Sequence, residues 1–131
     1  MILIEAASAK IRDLYEGNRH HVGAALKTKS GKIVAAIHIK AYIGRVTVCA
    51  EAIAIGKAIS DGEKGFDTIV AVKHPYSDDE DRALKVVSPC GMCRELISDY
   101  AKDQFVLLTV NGETVKVKIG ELLRYKYTRD S

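Results

Sequence analysis

The chain has no tryptophan and only three cysteines, and it lacks both a long apolar run and a block of like charge. Each absence removes a class of function. Without tryptophan there is no obvious aromatic platform on which the bases of a polynucleotide could stack. The apolar runs fall short of the roughly 18–20 residues that a membrane-spanning helix needs. Lysines and arginines, 20 in all, are interleaved with 17 aspartates and glutamates, so a net charge of +3 forms no basic groove. Glu5, Lys10, Arg12 and Asp13 interrupt the opening segment, which therefore does not read as a signal peptide. Three cysteines cannot all pair within one chain, and reduced thiols in a cytoplasm are the natural expectation. What is present, 47% apolar and 28% charged residues over 131 positions, predicts a single domain over 1–131 with a real core.

Periodicity then orders the chain. Leu3, Ala7, Ile11 and Leu14 recur at helical spacing, which predicts an amphipathic helix over about 2–15, ended by Glu16-Gly17-Asn18. Two short apolar runs, 22–28 and 32–38, flank Lys29-Ser30-Gly31 and read as a hairpin. Residues 49–60 are rich in alanine and isoleucine nearly all round, which predicts a buried helix. Thr68 to Val72 is a β-branched run suited to a central strand, and 74–81 is a polar surface loop. A helix is expected over 91–101, then strands 105–110 and 115–119 around Asn111-Gly112, and a short helix near Glu121. The order αββαβαββ implies an α/β fold, helices packed on a mixed five-stranded sheet.

All three cysteines fall in one pattern. Cys49-Ala50-Glu51 is followed about 40 residues later by Pro89-Cys90-Gly91-Met92-Cys93. A Cys-x-x-Cys pair alone would be equally suited to redox chemistry or structural zinc. The added Cys-x-Glu, the leading proline and the odd ligand count point to a zinc-dependent nucleobase deaminase. A catalytic zinc keeps a position open for water, whereas a closed structural site takes four protein ligands. A fourth ligand, if one exists, would have to be His20, His21, His38 or His74. Both motifs are expected at helix N-termini, where backbone amides and the positive end of the dipole favour thiolates. Glu51, two residues beyond its ligand, is placed to move protons without binding the metal. Arg94 could offset the excess negative charge of the thiolates or simply be a solvated charge.

On these residues the chain resembles the cytidine deaminase superfamily, and within it the bacterial blasticidin-S deaminases. The likeness runs through His20-His21-Val22-Gly23-Ala24-Ala25, Ala41 to Glu51, His74-Pro75-Tyr76-Ser77-Asp78 and Val87 to Leu96. It implies a three-layer α/β/α sandwich, one zinc ion per subunit held by Cys49, Cys90 and Cys93, and Glu51 as the catalytic proton carrier. It also implies a homotetramer whose active sites are completed by neighbouring chains, with Tyr125 of the tail a candidate contributor. Ring contacts are expected from the amides near Ala50 and Cys90 and from the Ser88 carbonyl. Cytidine deaminases usually carry Asn-x-Glu where this chain has His38 and Lys40, and an aromatic residue where it has His20. Lysine donates only, so it cannot replace a carboxylate acceptor. Lys40 or Arg45 could instead pair the carboxylate of blasticidin S, and the acids at 78–81 could attract its basic tail or merely be a solvated loop. The expected reaction is hydrolytic conversion of a cytosine nucleoside to its uracil form with release of ammonia, on a small substrate rather than nucleic acid or membrane. The alternatives are housekeeping pyrimidine salvage on cytidine, and a zinc-stabilised binding module without catalysis.

Overall fold

Helix α1 (Ile2–Leu14) buries Leu3, Ala7, Ser8 and Ile11 on one face and leaves Glu5 and Arg12 to solvent, where they pair at 3.1 Å. The computed structural model describes residues 2–17 and 19–129; Asn18, expected at the end of this helix, lies outside them. Strands β1 (Val22–Thr28) and β2 (Ile33–Ile37) follow, then a 3-10 turn (Gly44–Val46), helix α2 (Ala50–Ser60) and strand β3 (Phe66–Lys73). Strand β4 (Lys85–Val87), helix α3 (Gly91–Tyr100), strands β5 (Phe105–Val110) and β6 (Glu113–Lys118) and a second 3-10 turn (Ile119–Leu122) complete the order.

The sheet runs β2-β1-β3-β5-β6, with β3 and β5 parallel and the other neighbours on this path antiparallel. Helix α1 covers one face through Leu3 and Ala7 against Ala25, Val70, Val72 and Leu107. Helices α2 and α3 cover the other, where Ala50, Ala54, Ile55, Ala58, Cys93 and Ile97 meet Ala24, Leu26, Ile69 and Val106. Alternate residues of each strand thus feed opposite cores, as the pleat requires. This is the three-layer α/β/α sandwich expected from the sequence.

Two close fits set the layers. A Cβ at Gly23 would lie 2.6 Å from the Ala7 carbonyl oxygen and 2.9 Å from Ile11 Cβ, so only glycine lets α1 lie this close to β1. At the β5–β6 turn Asn111 (φ 51) and Gly112 (φ 82) adopt the left-handed conformations of the tight hairpin that their sequence predicts.

The structure departs from expectation in particular places. The sheet gains a sixth strand: β4 pairs antiparallel with Ala71, Val72 and Lys73, while β5 pairs with Thr68, Ile69 and Val70 along the same edge of β3. Helix α2 is not buried all round, because Gly56, Lys57, Ile59 and Ser60 are exposed. Ile119 belongs to the 3-10 turn rather than to β6, and the helix expected near Glu121 is that turn.

Candidate active site

Two helices begin with cysteine. Cys49 is the N-cap of α2 and Cys90 the N-cap of α3, both extended in backbone (φ −67 and −68), and neither side chain caps its own helix. Their carbonyls accept the first helical bonds, from Ile53 N–H at 3.2 Å and Arg94 N–H at 2.9 Å. Cys93 lies in the first turn of α3 and is buried. The three Sγ atoms lie within 4.8 Å of one another, Cys49 and Cys90 at 3.7 Å. A tetrahedral zinc with sulfur at about 2.3 Å requires sulfurs roughly 3.8 Å apart, so the arrangement fits that ion. No histidine belongs to this group among the described residues, which leaves three protein ligands.

The chemistry of the donors agrees with the distances. Burial pushes the Cys49 thiol up, and burial with the Glu51 carboxyl alongside pushes Cys93 up further. Sulfurs in that environment are held as thiolates by a cation placed among them. The positive ends of α2 and α3 both face the cluster and offset part of its excess negative charge.

Glu51 follows Cys49 by two residues, in the first turn of α2, and is only 6% exposed. Burial raises its pKa, opposed by its own backbone amide and by the Cys93 thiol. A buried carboxyl whose pKa is raised holds a proton more readily than an exposed one, the direction that suits a group relaying protons. Beside it lies a cavity of about 150 Å³, lined by Val22, His38, Cys49, Ala50, Glu51, Val87, Ser88 and Cys90. The metal cluster and the buried carboxyl therefore open into the same small space.

Of the residues predicted for substrate, Ala50, Ser88 and His38 line this cavity. His20, Lys40 and Tyr125 do not; His20 stands behind the wall, its Nδ1 3.1 Å from the His38 carbonyl oxygen. Lys40 is exposed, two residues beyond His38, and Tyr125 is fully exposed with φ 56. The tail instead contacts α3, where Lys126 bonds Ser98 at 2.5 Å and pairs with Asp99.

Residues that sequence reasoning passed over complete the walls. Val22 at the start of β1 and Val87 on β4 line the cavity although they read as core. The His21 backbone N–H donates to His38 Nε2 at 2.9 Å, and His21 Nε2 lies 3.2 Å from the Tyr76 hydroxyl. Arg94 is no solvated charge: Nε donates to the Pro89 carbonyl at 2.9 Å and a terminal nitrogen to the Leu122 carbonyl at 3.3 Å. It ties the segment before Cys90 to the C-terminal 3-10 turn. In the 78–81 loop, Asp79 accepts the Tyr76 N–H at 2.8 Å and Asp81 pairs with Lys85 at 3.1 Å.

Comparison with known proteins gives the same picture. The sequence model of the cytidine and deoxycytidylate deaminase zinc-binding region matches residues 2–109. A blasticidin-S deaminase of Bacillus cereus is 68% identical over 128 residues, 98% of this chain and 91% of the relative. A cytidine deaminase of Halalkalibacterium halodurans is 30% identical over 99% of this chain and 94% of its own length. Among solved structures, a Burkholderia pseudomallei cytidine deaminase superposes with a TM-score of 0.77 at 28% identity, covering 96% of this chain and 97% of that one. Sulfur triad, buried carboxyl, matched region and fold agree: the chain belongs to the zinc-dependent cytidine and deoxycytidylate deaminase family.

Proposed function

We propose that the protein hydrolyses the exocyclic amine of a cytosine nucleoside, giving the uracil form and ammonia, with blasticidin S as the first substrate and cytidine or deoxycytidine as the second. The observation that carries this reading is the cavity shared by Glu51, Cys49 and Cys90. Blasticidin S stands first because the 68% identical relative is a blasticidin-S deaminase, and cytidine follows from the cytidine deaminases at lower identity.

In this reading Cys49, Cys90 and Cys93 would hold one zinc ion per subunit, which would supply the Lewis acidity that makes water nucleophilic at neutral pH. Glu51 would take a proton from the attacking water and give it to ring N3, then take the remaining proton from the hydroxyl formed at C4 and give it to the amine as the C4–N bond breaks, leaving the carbonyl of the uracil form. The amides of Ala50 and Cys90 and the Ser88 carbonyl hold the ring, while Val22 and Val87 exclude bulk water from it. His38 stands on the sugar side, with His20 and Lys40 beyond it.

Residues 1–131 act as one domain in a cytoplasmic homotetramer, and Tyr125 reaches the site of a neighbouring copy. What supports assembly is the apolar surface that Tyr42, Ile43, Val46 and Met92 leave exposed around the start of α2 and α3. The test is ultraviolet deamination of blasticidin S, cytidine and deoxycytidine by metal-counted protein. The expected result is turnover of blasticidin S with one zinc per chain; absence of turnover on all three at full zinc would refute the proposal.

A further inference from the structure

The three sulfurs of the cluster are not equivalent. Cys90 is exposed, Cys49 is half-buried, and Cys93 is only 3% exposed. Cys49 and Cys90 both line the small cavity that holds Glu51, and Cys93 does not. Cys93 lines instead a separate apolar groove of about 730 Å³, shared with Cys49, Val46, Met92 and Leu96. A small polar molecule entering the cavity therefore meets two sulfurs, and those two are 3.7 Å apart.

Backbone position separates them in the same way. Cys49 and Cys90 stand at N-caps on extended backbone, ahead of α2 and α3, and their side chains make no capping bond. Cys93 lies within the first turn of α3, where the helix restricts its rotamers. A disulfide holds its sulfurs about 2 Å apart, so this pair must close by roughly 1.7 Å, within the reach of side-chain rotation at two uncapping residues. A zinc site built from protein takes at least three ligands. Joining Cys49 to Cys90 leaves Cys93 alone, too few to retain the ion.

We propose that Cys49 and Cys90 are a thiol–disulfide pair through which hydrogen peroxide reversibly disarms the metal site. The inference goes beyond the deaminase reading and rests only on the three-cysteine site. The exposed Cys90 thiolate attacks one peroxide oxygen, the O–O bond breaks, hydroxide leaves, and Cys90 becomes a sulfenic acid. The Cys49 thiolate then attacks the Cys90 sulfur. The S–S bond forms, the S–O bond breaks and a second hydroxide leaves. Two electrons pass from sulfur to peroxide, and two protons from solvent turn the hydroxides into water. A dithiol reverses the change by exchange at the exposed Cys90 sulfur, and is itself oxidised to a disulfide.

The experiment treats zinc-loaded wild type with hydrogen peroxide, stops the reaction with catalase, and reads released zinc, free thiols and cross-linked peptides. Trypsin at Arg45, Lys57, Lys85 and Arg94, with cyanogen bromide at Met92, puts each cysteine on its own peptide. The expected result is loss of the zinc together with two of the three thiols, and a Cys49 peptide joined to a Cys90 peptide within one chain. Dithiothreitol followed by zinc should return thiols and metal to their starting values. A Cys90–Cys93 link, a link between chains, a sulfinic acid on Cys90 in place of a disulfide, or zinc and thiols left intact overturns the inference. Reduced protein that binds no zinc overturns the metal site and the inference together. Zinc and thiols are read without a substrate, so failure to deaminate any nucleoside refutes the proposed function alone.

Discussion

His38 offers a direct measure of how dry the cavity wall is. The ring is 7% exposed, and Nε2, the position where a second proton would bind, already accepts the His21 amide at 2.9 Å. Burial above all, then the positive influence of His21, His20 and Lys40, lowers its pKa from 6.5 to about 4, against the Arg19 backbone, which favours the charged form. In the unfolded chain the ring titrates near its ordinary value. Between pH 6.5 and 4 the unfolded state therefore binds the proton more readily, and stability falls as pH drops through that window. Above pH 6.5 the ring is neutral in both states and contributes no slope. By pH 5 the loss amounts to about 1–2 kcal/mol, the lower figure allowing for solvent at the cavity mouth. Urea unfolding of wild type and His38→Asn from pH 7.5 to 5, with zinc in constant excess, isolates this term because the metal's own pH dependence is common to both. Asparagine can still accept the His21 N–H but cannot titrate. The wild type should lose 1–2 kcal/mol more than the variant over that range; parallel curves would refute the account of His38 as a ring held neutral by burial.

Glu51→Gln should retain one zinc per chain, by metal analysis, while turnover falls by about 10²–10⁴; undiminished turnover would remove Glu51 from the mechanism. Gly23→Ala forces a methyl group to within 2.6 Å of the Ala7 carbonyl oxygen. It should cost about 1–3 kcal/mol in denaturant unfolding, and an unchanged midpoint would mean that α1 can move away freely. Arg94→Met removes the donors to the Pro89 and Leu122 carbonyls and should weaken zinc binding about 10–100-fold in a chelator competition, as loss of a ligand-orienting group does elsewhere. Chelation should abolish turnover yet leave far-ultraviolet dichroism nearly intact, because the two cores do not depend on the metal; global unfolding on chelation would favour the binding-module reading instead.

The zinc motif and the helices that carry it were legible because their information is local. Cys49-Ala50-Glu51 joins a cysteine, a helix start and a carboxyl within three residues, Pro89-Cys90 joins a cysteine and a helix start, and the structure places both cysteines at helix starts as expected. The wall of the cavity was not legible in the same way. Strand β4 is the short Lys-Val-Val run, which gains its strand character from pairing with Ala71, Val72 and Lys73, far away in sequence. Val22 and Val87 look like ordinary core valines until the sheet brings them beside Ser88 and His38. Arg94 could be assigned only once Leu122 stood next to it. The hairpin at Asn111-Gly112 was readable because φ preference is a property of the residues themselves.

The helix starts show why this site holds together as one unit. An N-cap serine or aspartate bonds an orphan amide and is worth about 1 kcal/mol over a residue that does not. Cys49 and Cys90 both occupy that position and both forgo the bond, so local helix stability is given up at two places that meet within 3.7 Å. Sequences break local rules in this paired way where function requires it. The sulfur atoms are thereby left free of helix capping and available to a metal. A serine at either position would restore the cap and lose a ligand. The same geometry explains the position of Glu51: in the first turn of α2 it is fixed by the helix that Cys49 begins, so the Cys49 sulfur and the Glu51 carboxyl keep their relative positions. Sheet pairing supplies the remaining constraint, because β3 gives one edge to both β5 and β4, and β4 leads through Ser88 and Pro89 directly into Cys90.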